Sequence, residues 1–136
     1  MSESSAPPGT GRGVLDTSVL IATDVAPIPG ELAISVISLA ELSFGILITP
    51  DANTRASRLA RPSGLQRRFD PLPVDEAVAD SYGRLAAQVA AVGRRPRARA
   101  MDLLIAATAH AHDATLYTRN AADLLGLEDL IRIAPV

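Results

Sequence analysis

Val14-Leu15-Asp16-Thr17-Ser18-Val19-Leu20-Ile21 sets a short apolar run directly before an acid and a helix-forming run directly after it. With Gly13 in front, the first part reads as a short buried strand that stops at Asp16, and Thr17 onward opens a helix. In a parallel sheet such a strand delivers its terminal carboxylate to the carboxyl edge, where α/β domains bind their ligands. Asp16 is equally suited to cap the helix that follows.

The same alternation continues outward to the C-terminus. Residues 32–36 form a second strand after the Pro- and Gly-rich connection at 27–30, and Ser38-Leu39-Ala40-Glu41 starts a helix running to about Ile48. Residues 52–69 read as one or two arginine-bearing helices interrupted near Pro62-Ser63-Gly64. A brief Leu72-Pro73-Val74 strand leads to Asp75, an N-cap residue. Val78, Tyr82, Leu85, Val89 and Val92 then recur at helical spacing up to Gly93. After the Arg94–Arg99 loop, residues 101–112 are apolar almost all round, which predicts a central buried helix. Thr115–Thr118 is a strand, Ala121–Leu125 a short helix and Ile131–Ile133 a closing strand. Alternating strands and helices predict a parallel sheet covered on both faces, a three-layer α/β/α domain over 13–136. Residues 1–12 are mostly Ser, Pro and Gly and read as a disordered tail. They lack the apolar core of a signal peptide, and no run approaches the ~18 apolar residues of a membrane span. The expectation is a soluble, cytoplasmic protein with no membrane partner.

Composition narrows the chemistry. The chain has 136 residues, 48% hydrophobic, and no cysteine, which suits one domain and excludes thiolate zinc sites and thiol nucleophiles. All 13 basic residues are arginine, so the Gly9-Thr10-Gly11-Arg12-Gly13 stretch is no P-loop and Schiff-base chemistry is absent. Aromatics are limited to Phe44, Phe69, Tyr82 and Tyr117, so RNA contact would run through arginine and backbone rather than base stacking. The net charge of −2 conceals a split: residues 55–99 carry ten arginines against four acids, or +6, and the remainder three against eleven, or −8. Segregated charge points to a polyanion on the basic part and a cation on the acidic part, with ordinary solvated helix faces as the alternative.

Each acid has a local explanation as well as a chemical one. Glu41 stands three residues after Ser38, the spacing of a capping box. Asp102 is a favourable first-turn acid of the apolar helix. Asn120 and Asp123 follow the Thr115–Thr118 strand and suit the cap of the next helix. Asp113 is roughly 16 Å along the helix from Asp102, too far to share an ion with it. His110 and His112, two apart on a helix, face different ways and read as structural. Carboxylates brought to one edge repel unless a cation neutralises them, and oxygen donors without Cys or His select Mg²⁺ or Mn²⁺.

Four segments together carry a resemblance. Residues 14–21, 35–42 (Ser35-Val36-Ile37-Ser38-Leu39-Ala40-Glu41-Leu42), 102–109 (Asp102-Leu103-Leu104-Ile105-Ala106-Ala107-Thr108-Ala109) and 118–123 (Thr118-Arg119-Asn120-Ala121-Ala122-Asp123) resemble, in order, the four motifs of PIN-domain ribonucleases of the VapC toxin type. The resemblance implies a five-stranded parallel sheet of order 3-2-1-4-5 and Mg²⁺- or Mn²⁺-dependent RNA cleavage. It maps Asp16, Glu41 and Asp102 onto the three acids of the family's metal site. Many members carry an acid where Asn120 stands and some carry it where Asp123 stands, so Asp123 is taken as the fourth acid. Thr17, Ser18, Ser38, Thr118 and Asn120 are then supporting oxygen donors, and Arg94, Arg95, Arg97 and Arg99 hold the RNA backbone. The implied partners are an RNA substrate, a VapB-type antitoxin and a second copy of the chain. A receiver-like or phosphotransfer domain also ends a strand in Asp, but the chain lacks lysine and a second acid two residues after Asp16. The remaining alternative is a non-catalytic RNA- or protein-binding module whose acids are helix caps.

Overall fold

The computed structural model describes residues 11–58 and 68–136. Four short strands, β1 (Arg12–Leu15), β2 (Glu31–Ala33), β3 (Thr115–Thr118) and β4 (Ile133–Pro135), make one sheet among the described residues, in the order β2-β1-β3-β4. Every pairing is parallel, with Val14 opposite Ala33 and Leu116, and Leu15 opposite Tyr117. The helices are α1 (Thr17–Ile21), α2 (Val36–Leu47), α3 (Ala52–Arg58), α4 (Glu76–Ala91) and α5 (Ala100–Ala111), with 3-10 turns at Pro96–Arg99 and Ala121–Leu124.

Successive strand residues point to opposite faces, and the core divides accordingly. Val14 and Leu116 pack with Val78, Leu85 and Val89 of α4 and Leu103, Ile105 and Ala109 of α5. Leu15 and Tyr117 pack on the other side with Val19 of α1, Ile34 and Leu39. The sheet is therefore the middle of three layers, as the alternation of elements predicts. Leu85, Leu103 and Leu127 are wholly buried, each contributing roughly 1.5–3 kcal/mol of transfer free energy. α5 buries six of its twelve residues, which explains why its sequence is apolar nearly all round. Asp75 caps α4 by accepting the Val78 N–H at 3.0 Å, and the helix gives way to Gly93 with φ 82°, as its sequence indicates.

Several expected boundaries move. The five-stranded sheet is four-stranded here: Leu72 makes only an isolated parallel bridge to Ser35. Its N–H reaches Ile34 O at 2.8 Å and its carbonyl accepts from Val36 N at 3.0 Å. Directly after the bridged Ser35 the partner chain turns into α2 at Val36, so the ladder goes no further in that direction. The bridge still lies beside the chain leaving β2, where the order 3-2-1-4-5 puts the missing strand. β2 ends at Ala33 rather than Val36 because Ser35 already caps α2, its Oγ accepting from Ile37 N at 3.0 Å. β4 begins at Ile133, two residues late, because Leu127, Leu130 and Ile131 form a turn that buries Leu127 and Ile131. The loop at 94–99 contains a 3-10 turn that feeds α5 directly. Arg12, expected in the tail, is the first residue of β1; the rest of the tail up to residue 10 and the break near Pro62-Ser63-Gly64 lie outside the described residues.

Candidate active site

Asp16 directly follows β1, and its N–H bonds to Tyr117 O of β3 at 3.1 Å, so the ends of the two strands meet at this residue. Its Oδ1 accepts the Val19 N–H at 3.3 Å, capping α1, and also the Ser18 hydroxyl. Ser18 Oγ in turn accepts the Arg119 N–H at 2.9 Å, tying the first helix to the segment after β3. The capping expectation for Asp16 is therefore met, but one oxygen serves it and the other remains directed by this frame.

Glu41 is not in a capping box. Ser35, not Ser38, is the cap of α2, which puts Glu41 beyond the first turn, where no backbone N–H lacks a partner. Its Oε1 accepts the Thr17 hydroxyl at 2.5 Å. Thr17 Oγ1 also lies 3.1 Å from Ser38 Oγ; one hydroxyl has one proton, so Ser38 is the donor of that bond. Ser38 is fully buried, which makes this relay rigid.

Asp102 sits in the first turn of α5 without capping it. Burial raises its pKa above the ordinary 3.8, and Glu41, Asp123 and Asp16 raise it further, in that order, while Arg99 opposes them. Residues far apart in sequence thus share one electrostatic neighbourhood. Glu41, Asp102, Arg97 and Arg99 line a cleft of about 290 Å³. Asp123, in the 3-10 turn after β3, pairs with Arg99, Nη1 to Oδ1 3.2 Å. Among the described residues no three acids or histidines close into a ready-made metal cage. The donor set nonetheless suits a hard cation. Mg²⁺ keeps several waters and needs only one or two carboxylates, and the crowding felt by Asp102 is that of acids short of positive charge.

The remaining expected residues spread out. Thr118 is buried and accepts the Asn120 N–H at 2.9 Å, whereas Asn120 is exposed and makes no side-chain cap bond. Arg94 donates to Leu125 O at 3.2 Å, and neither it nor exposed Arg95 lines the acidic cleft. His110 Nδ1 is 2.8 Å from Ser81 Oγ. Sequence reasoning missed Asp24, which holds Arg119 with both oxygens at 2.6 and 3.4 Å and so clasps the chain after α1 to the chain after β3. A lone exposed Asp in a loop gives no sequence signal of this. A larger cavity of about 350 Å³ beside Tyr117 is lined by residues 24–29 and by none of the four acids.

A parallel sheet with Glu41 and Asp102 lining one cleft beside its carboxyl edge defines a class. The chain belongs to the PIN-domain family, whose model matches residues 13–123. Within it, the chain is similar to Ribonuclease VapC8 of Mycobacterium tuberculosis, 45% identical over 103 residues covering 73% of this chain and 91% of that protein. It is 38% identical over 131 residues to Ribonuclease VapC5 of the same organism, covering 89% and 95%. Among solved structures it is similar to a member of the VapBC family of toxin-antitoxin systems, VapBC-5 from Mycobacterium tuberculosis, with TM-score 0.77, 38% identity and coverage of 92% and 98%. FitAcB from Neisseria gonorrhoeae shares the fold at TM-score 0.73 and 24% identity, covering 90% and 96%.

Proposed function

We propose that this chain is a divalent-metal-dependent endoribonuclease and the toxin of a toxin–antitoxin pair. The observation that carries the reading is the shared field of Asp16, Glu41, Asp102 and Asp123 beside the arginine-lined cleft. Likeness to proteins named Ribonuclease VapC supports the reaction class.

Asp16, Glu41 and Asp102 would hold Mg²⁺ or Mn²⁺, with Asp123 as the fourth acid. The ion supplies polarisation of a phosphoryl oxygen and a more acidic bound water. Thr17 and Ser38 keep Glu41 pointed at the cleft, and Ser18 holds Asp16 between its cap and the metal side. Arg97 and Arg99 meet the phosphates, since a guanidinium fork matches their oxygens. Thr118 shapes the backbone that presents Asn120 and Asp123. The antitoxin follows from the VapBC-5 likeness. Phe44 and Leu47 of α2 and Ile48 at its C-cap leave an apolar row 61–66% exposed, a surface suited to a partner helix or a second copy. No helix among the described residues is long and apolar enough to cross a membrane.

One substitution separates this reading from a binding module whose acids are caps. Asn caps helices about as well as Asp, so Asp16→Asn retains α1 while removing the charge. The expected result is a folded protein that no longer cleaves RNA in the presence of Mn²⁺; full cleavage by this variant would refute the site.

A further inference from the structure

Arg99 occupies the N-cap position of α5 but makes no side-chain capping bond. Its guanidinium turns to Asp123, Nη1 to Oδ1 3.2 Å, and both side chains are only partly exposed, at 38% and 36%. It also lines the cleft that contains Glu41 and Asp102. A guanidinium has five donors in a fixed fork, so engaging Asp123 through one nitrogen leaves others for a phosphoryl oxygen. The contact engages only one oxygen of Asp123, and the guanidinium charge beside it makes Asp123 a weaker donor to a cation than an acid with no arginine partner. With four carboxylates present, one divalent ion and Arg99 leave a single negative charge, whereas losing Arg99 leaves two and an unpaired Asp123.

We infer that Arg99 is the second cation of this site: it holds Asp123 out of the ligand set, so the chain binds one divalent ion among Asp16, Glu41 and Asp102. The guanidinium would then supply to the phosphate the second positive charge that two-metal phosphodiesterases take from a second ion. This rests on the metal-dependent reading above and adds to it the ion count and the role of Arg99.

The test is Mn²⁺ titration of the full chain, counting bound ions by calorimetry and by the electron paramagnetic resonance of free Mn²⁺, with no RNA present. The parent protein should bind one ion. Arg99→Gln should bind two, or the first more tightly, while cleaving RNA more slowly. Asp123→Asn should keep one ion with its affinity changed by less than about threefold, against the tenfold or greater loss typical of a damaged metal site. Asp102→Asn should show that loss. Two ions on the parent, an unchanged titration for Arg99→Gln, or a tenfold loss for Asp123→Asn each overturns the inference and leaves the nuclease reading standing. Failure of the parent to bind Mn²⁺ overturns both. Asp123→Asn decides the matter by itself if Arg99→Gln does not fold.

Discussion

Thr17 on α1 donates its hydroxyl to Glu41 Oε1 on α2 across 2.5 Å, with Ser38 Oγ 3.1 Å from the same threonine oxygen. This contact fixes a carboxylate from one element against the end of another strand's connection, and it carries the first prediction. Thr17→Val keeps the side-chain volume and removes the donor. A hydrogen bond to a charged group is worth about 1.5–3 kcal/mol, so kcat on a short RNA should fall roughly tenfold or more. Thr17→Ser should restore it. A valine variant with the parent kcat would show that the hydroxyl does not position Glu41.

Asp102 gives the pH dependence. Burial, then Glu41, Asp123 and Asp16, raise its pKa from 3.8 in the folded chain, against the opposing effect of Arg99. The stability linked to this group is complete below the unfolded value and is lost as the pH rises through the folded one. Asp102→Asn removes that loss, so its Tm should exceed the parent's at about pH 7, and the gap should close as the pH falls towards about 4. Added Mn²⁺ should reverse the order at neutral pH, because only the parent gains from binding. Thermal melts at several pH values, with and without Mn²⁺, check both statements.

Gly13 answers to packing rather than to backbone conformation. A Cβ there would lie 2.6 Å from Tyr117 Cε2 and 3.0 Å from Leu32 Cδ2. Tyr117 is buried, and its hydroxyl has no hydrogen-bond partner among the described residues. Gly13→Ala should therefore cost about 1–3 kcal/mol, read as a lower urea midpoint with unchanged m-value. Tyr117→Phe removes an unsatisfied polar atom and should stabilise by about 1 kcal/mol in the same assay.

Arg97 is exposed and lines the acidic cleft. If it meets a phosphate, Arg97→Gln should weaken RNA binding and lower the log–log salt slope by about 0.7, the single-strand value for one contact. Binding isotherms on a cleavage-inactive Asp16→Asn background give the slope directly. An unchanged slope would remove Arg97 from the RNA contacts.

The readings that survived contact with the structure are local ones. Asp16 ends a strand and caps a helix because both properties are settled within four residues. Asp75 and Gly93 bound α4 for the same reason. The misplacements have local causes whose outcome depends on neighbours. Ser38 has the capping-box spacing in sequence, yet α2 starts from Ser35, the residue that also bridges to Leu72. The strand pattern at 72–74 is legible, but its partner chain leaves for α2 at Val36, so only the Leu72 bridge to Ser35 forms.

From the sequence alone come the alternation that makes a parallel three-layer domain, the apolar character that buries α5, and the division of acids from arginines. Those follow from side-chain periodicity and composition, which act over one or two turns. Tertiary structure alone decides that Thr17 reaches Glu41, 24 residues away, that Asp24 clasps Arg119, and that Arg99 engages Asp123. Such pairs depend on how parallel strands are ordered and on where each helix starts, and a 3 Å contact requires both to be set in space before either side chain can find its partner.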